Sequence, residues 1–243
     1  MIELFNLILY QPLLNLLVFL YNILPFHDIG LAIIILTIII KLILHPFSTQ
    51  SLKSQRALQK LQPQLEELKR KYKDQKEKLA SEMMLLYKKE KVNPFSSCLP
   101  LLIQLPFLIA VFQVFRSGLN PESLNLLYPF VQNPGQLNPI SFGIINLAEK
   151  NLILSIFAGL AQFFQAKMMI TKKPPANIAG SKDEGMMAMM NKQMLYFMPV
   201  MTVIIGMSLP GGLILYWFLT TVLTIFQQFY LFKKDKKAII KIS

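Results

Sequence analysis

The side chain best placed to act through its charge is Lys41, set inside the apolar run GLAIIILTIIIKLILHPF at residues 30–47. From 29 to 47 there are 19 residues and no other formal charge. As one helix, that stretch is about 28 Å long at a 1.5 Å rise, close to the thickness of a bilayer core. A lysine near the centre of such a helix carries an insertion penalty of roughly 2.5–3.5 kcal/mol, so it needs a partner, water or an exit. Lys41 lies six residues before Phe47, and its stem could reach the interface as a simple end anchor. Other apolar segments nevertheless offer polar groups at comparable depth: Gln104, then Gln162 and Gln165, then Thr220, Thr224 and Gln227. Gln162 and Gln165 share a helix face at i, i+3, and the last three share one at i, i+4, i+7. Such groups pair between helices for about 0.6 kcal/mol each. They also line a water-accessible cavity when several helices bring them together. The two roles are compatible.

The chemistry this leaves is binding, not bond breaking. The sequence has no P-loop, no Gly-rich phosphate cradle and no carboxylate pair within its apolar segments, so neither an enzyme nor a cofactor is expected. Cys98 is the only cysteine, which rules out an internal disulfide and thiolate clusters. His27 and His45 lack the spacing of a metal site. A cationic cavity would attract an acidic or polar polypeptide segment and shorten its path across hydrocarbon. Two other classes fit the same residues, a small ion or solute transporter and a membrane scaffold that recruits partners. The transporter reading lacks the inverted repeat and paired broken helices of many secondary transporters.

The elements that must hold these groups follow from composition. The chain has 243 residues, 53% of them hydrophobic and only 16% charged, whereas a soluble domain carries roughly 25% charged residues. An all-α, polytopic membrane protein is expected. Residues 1–26 read as an N-terminal amphipathic helix in the interface. Glu3, Asn6 and Tyr10 share one face before Pro12; Gln11, Asn15 and Asn22 share another, rotated by about 120°. Two short pieces meeting at a proline suit the interface better than a span, although a spanning helix is the alternative. A first transmembrane helix covers 27–47. Residues 48–93 read as a cytoplasmic helical hairpin, with Leu58, Leu61, Leu65 and Leu68 facing Leu79, Met83 and Leu86 across a turn near Asp74. Between those seams lies KRKYKDQKEK, and Pro63 would start or kink the first helix.

Further spans are expected at 94–116, 151–170, 194–209 and 210–232, giving five in all, with an extracytoplasmic loop at 117–150. A cytoplasmic loop at 171–193 and a basic tail at 233–243 complete the chain. The break LPGG at 209–212 forces a tight hairpin between the last two spans. Methionines 186, 187, 189, 190 and 194 read as an ordinary interfacial helix rather than a client surface. Net charge is +12, and its distribution gives orientation. With the N-terminus outside and the C-terminus cytoplasmic, the inner segments hold 22 Lys and Arg residues, and the outer ones hold Arg116 and Lys150. The inner charge also suits anionic lipids.

The strings IIIKLILHPF, KVNPFSSCLPLLIQLPFLIAVF and FMPVMTVIIGMSLPGGLILYWFLTTVLTIFQQFYL resemble the YidC/Oxa1/Alb3 family of membrane protein insertases, over about residues 5–235. The resemblance implies a five-helix core with a cytoplasmic hairpin. It also implies a hydrophilic groove open to cytoplasm and lipid that inserts and folds nascent membrane proteins without ATP. It implies the Sec translocon, ribosomes and signal-recognition components as partners through the hairpin and tail. By correspondence, Lys41, Gln104, Gln162, Tyr216, Trp217 and Thr220 line the groove, joined by the depth-matched Gln165 and Thr224. The family usually has Arg at the position of Lys41, so charge is kept here while planar bidentate geometry is lost. Only about 28 residues precede the first span, so the large extracytoplasmic domain of many Gram-negative members is not expected. Neither a lipobox cysteine nor an organellar transit peptide is visible. A bacterial plasma membrane is the expected location, ahead of a thylakoid.

Overall fold

A computed structural model describes residues 2–93, 99–117, 121–169 and 193–240. Cys98, the methionines at 186–190 and all but the last residue of the loop expected at 171–193 lie outside the described residues. The N-terminal segment is one unbroken helix, built from α1 (Ile2–Phe5), a π turn (Asn6–Tyr10) and α2 (Gln11–Ile23). The Gln11 N–H reaches back to the Asn6 carbonyl, and this widened turn accommodates the donor missing at Pro12. The expected break at the proline is therefore absent. From Glu3 to Ile23 the run has 21 residues and is apolar enough to cross a membrane by length and composition.

Its polar face has a specific use. Gln11 Nε2 donates to the Leu126 carbonyl at 3.0 Å, and Asn15 Nδ2 to the same oxygen at 3.2 Å. Asn15 Oδ1 accepts the Tyr128 N–H at 2.6 Å, and Asn22 Nδ2 donates to the Gln132 carbonyl at 2.6 Å. The stripe that the sequence would turn toward headgroups thus binds the loop after α6 (Leu99–Ser117), satisfying backbone groups that have no regular partner.

After a tight turn in which Phe26 has φ 64°, α3 runs from Ile29 to Ile43. Asp28 caps it, accepting the Leu31 N–H at 2.9 Å, and also accepts the Ser141 hydroxyl at 2.8 Å and the Phe142 N–H. These bonds fasten a short hairpin, β1 (Ile140–Ser141) with β2 (Ile145–Asn146), to the start of α3. The approach is close: a Cβ on Gly30 would lie 1.9 Å from Ser141 Oγ.

At the other end α3 stops short of the expected residue 47. Leu44 breaks it, and α4 (His45–Lys71) leaves at 67°. Pro46, in the first turn of α4, has no N–H to continue the α3 ladder. α5 (Lys76–Lys89) folds back on α4 across residues 72–75, as the leucine seams predict. Leu61 and Leu65 are buried, while Met84 and Leu85 on the opposite face of α5 are more than half exposed. Pro63 sits exposed inside an otherwise continuous α4.

α7 (Leu152–Met169) is followed, within the described residues, by a π turn (Gln193–Phe197), α8 (Met198–Gly206) and α9 (Gly211–Ile240). The LPGG break is held by backbone bonds from Gly211 N–H to the Glu149 carbonyl at 2.7 Å and from Gly212 N–H to the Leu147 carbonyl at 2.8 Å. A Cβ on Gly212 would fall 2.5 Å from the Phe115 ring, so glycine is what lets α9 meet α6 here. The apolar core gathers at this same end, where Leu14, Val18, Ile33, Val111, Val114 and Ile214 are almost fully enclosed. It seals one end of the helix cluster.

Candidate functional site

Because α3 ends at Ile43, Lys41 occupies its last turn, two residues from the end rather than six. An end anchor would send the ammonium outward. Instead Lys41 Nζ donates to Thr224 Oγ1 of α9 at 2.7 Å. That hydroxyl spends its own proton on the Thr220 carbonyl at 2.7 Å, leaving lone pairs for the ammonium. The charge is held among the helices.

It projects into a cavity of about 420 Å³. The eight residues that the sequence assigns to a groove all lie around this one space. Lys41 comes from α3, Gln104 from α6, and Gln162 and Gln165 from α7. Tyr216, Trp217, Thr220 and Thr224 come from α9. Two glutamines also pair between helices: Gln104 Nε2 donates to the Tyr216 hydroxyl at 2.6 Å, and Gln162 Oε1 accepts from the Thr202 hydroxyl. Interhelical bonding and cavity lining therefore coexist. Among the described residues no carboxylate lines the space, so Lys41 is the sole formal charge on its described wall.

Several lining residues escaped sequence reasoning. Ser48 and Gln55 of α4 face the cavity together with Leu52, a spacing of i, i+4, i+7 that was readable but looked like ordinary hairpin surface. Thr202 is the one hydroxyl in MPVMTVIIG, and Thr221 was hidden beside Thr220. Gln227 lies apart from the cavity wall. Its Oε1 accepts from the Ser48 hydroxyl at 2.8 Å, and its Nε2 donates to Thr49 Oγ1 at 2.8 Å. With the Arg56 guanidinium 4.0 Å from the Phe232 ring centre, these bonds tie the base of the hairpin to α9.

The cavity is asymmetric. Toward Gly212 and Phe115 it meets the sealed core, and toward Ser48 and Gln55 it reaches the polar hairpin. Its lateral rim includes Leu105 of α6 and Met198 and Ile205 of α8, each 39–46% exposed, so that side faces the apolar surroundings of the helices. Such a space can hydrate and hold a polar segment beside lipid.

Comparison with known proteins gives the same direction. The family model described as 60Kd inner membrane protein matches residues 19–238. The membrane protein insertase YidC of Fusobacterium nucleatum is 35% identical over 207 residues, covering 85% of this chain and 87% of that protein. The YidC proteins of Syntrophus aciditrophicus and Endomicrobium trichonymphae are 35% and 32% identical over 92% and 91% of this chain. The matched region makes up only 36% and 39% of those two longer proteins. A mainly helical, multi-pass membrane protein with these relatives belongs to the 60Kd inner membrane protein family, the family of the YidC insertases.

Proposed function

We propose that this chain inserts nascent membrane proteins, using the cavity around Lys41 as a hydrated groove open to the hairpin side and to lipid. The observation that carries the reading is the Lys41–Thr224 bond, which holds a cation beside hydroxyl and amide groups in a cavity whose walls are otherwise mostly apolar. The ammonium attracts the polar or acidic segment that a client must carry across. The client's apolar helix then leaves past Trp217 between α6 and α8 into lipid. No ATP enters this scheme.

In the proposed topology α3, α6, α7, α8 and α9 cross the membrane. The hairpin and the C-terminal end of α9 lie in the cytoplasm, as the 22-to-2 distribution of basic residues supports. The N-terminal helix lies in the outer interface. Support for that placement is its polar face, bonded from Gln11 to Asn22 to the loop between α6 and α7. The basic hairpin and tail are proposed to meet ribosomes, signal-recognition components, the Sec translocon or anionic lipid, in a bacterial plasma membrane.

The test is insertion of a single-span client with an acidic translocated segment into liposomes holding only this protein, scored by protease protection. Lys41→Ala is expected to lower protection about tenfold, one lost charge-assisted contact, while Lys41→Arg retains it. Equal protection by both variants would refute the electrostatic role. Ion conductance without protection would replace the insertase with a transporter.

A further inference from the structure

A second polar cleft lies far from Lys41, between the N-terminal helix and the end of α6. It encloses about 540 Å³ and is lined by Asn6, Tyr10, Ile109, Phe112, Gln113 and Arg116. The π turn supplies Asn6 and Tyr10, spaced so that both face α6. Arg116 is exposed in the last turn of α6, and among the described residues no carboxylate lines the cleft. A guanidinium flanked by neutral amides is a phosphate-binding chemistry.

The α6 surface beneath Arg116 completes the pattern. At 100° per residue, Phe112, Ile109, Leu105 and Leu102 all fall within about 40° of Arg116 around the helix. Leu102, Leu105 and Ile109 are 58%, 39% and 48% exposed. From Arg116 to Leu102 is about 21 Å at 1.5 Å per residue. Cleft and α6 face together therefore present a cation, then the amides of Gln113 and of Asn6 from the facing π turn, then an apolar stripe of hydrocarbon-chain length. Free phosphate would use only the top of that face; a phospholipid would use all of it.

We propose that this cleft binds a phospholipid, its phosphate on Arg116 with Gln113 and Asn6, and one acyl chain along Ile109, Leu105 and Leu102. The site depends on α6 lying in the membrane; its stripe passes Leu105 on the rim of the Lys41 cavity, but its readout is lipid retention rather than insertion, so the two readings fail separately. In the proposed topology the lipid belongs to the outer leaflet and clamps the N-terminal helix against α6.

The experiment is native mass spectrometry of the full-length protein, delipidated in a nonionic detergent and titrated with phosphatidylglycerol. One tightly retained lipid is expected. Arg116→Gln should weaken its retention about tenfold, and Arg116→Lys by less, since the charge remains without the planar fork. Lys150→Gln should leave it unchanged. Gln113→Leu, which keeps the cation, should give a smaller loss and serves as the readout if Arg116→Gln does not keep its helical circular dichroism. Equal retention by the wild type and the folded variants would overturn the site. Displacement by inorganic phosphate at the same concentration as lipid would overturn the lipid as its occupant.

Discussion

Thr224→Val isolates how Lys41 is held from whether it is charged. Valine has nearly the shape of threonine, so the substitution removes the acceptor of the 2.7 Å bond and little else. The bond that Thr224 donates to the Thr220 carbonyl is lost too, but that carbonyl lies within a continuous helix. A hydrogen bond to a charged group contributes about 1.5–3 kcal/mol. Lys41 is half-buried, so solvent competes and the lower end of that range applies. At 1.4 kcal/mol per factor of ten, the inward-held ammonium loses about tenfold in population relative to outward conformers.

If insertion follows the held ammonium, the rate for a client with an acidic segment falls by about the same factor in Thr224→Val. Thr224→Ser, which keeps the hydroxyl, stays near the wild type. A client whose translocated segment carries no charge responds less to either change. Initial rates of protease protection in proteoliposomes, at matched protein density, read all three. Wild-type rates in Thr224→Val alongside a clear defect in Lys41→Ala would refute the positioning argument. Lysine would then act from any rotamer, and the Thr224 bond would be incidental.

Two further outcomes test the scaffold. Asn15→Leu removes both Asn15 bonds to the 121–138 segment and strands the Tyr128 N–H, so detergent-solubilised protein should lose about 2–4 kcal/mol in denaturant titrations, with faster amide exchange at Tyr128. Unchanged exchange at Tyr128 would show that the docking of this loop does not depend on Asn15. Gly212→Ala drives a methyl to 2.5 Å from the Phe115 ring and should cost about 1–3 kcal/mol, with Phe115→Leu restoring most of it; failure of that rescue would place the strain elsewhere.

What could be read from sequence divides along a physical line. Helices, the hairpin seam and the depth of the polar residues follow from local periodicity, and Gln104, Gln162 and Thr224 come together because each occupies a fixed face of its own helix. Where helices end is decided by contacts that periodicity does not encode. The apolar run through residue 47 hid the stop at Ile43, because Leu44 and Phe47 carry the apolar character past His45 while Pro46 breaks the ladder. Pro12 pointed the other way. It marked a break that the widened turn at Asn6–Tyr10 absorbs. Gln11, Asn15 and Asn22 share a face, as their spacing predicts, but the partner of that face is a distant loop with no periodic signal. Sequence gives a face; only the fold says what covers it.

The shortness of α3 bears directly on the proposed mechanism. Its 15 residues span about 22 Å, against a hydrocarbon core near 30 Å. The π turn and α8 together make 14 residues, about 21 Å. Helices this short favour local bilayer thinning. The cavity extends the same advantage inward: from Thr224 to Tyr216 its α9 wall covers about 12 Å, within which a client's polar groups keep water and a cation nearby. A client helix of about 20 apolar residues gains roughly 0.3–0.6 kcal/mol per residue on entering lipid, whereas one central carboxylate costs roughly 2.5–3.5 kcal/mol. The balance favours insertion for segments bearing a few charges, provided the barrier between the two states is low. In the proposed mechanism short helices, a hydrated groove and Lys41 act on that barrier rather than on the end states. On the proposed reading, that is why the depth of the cation matters as much as its charge.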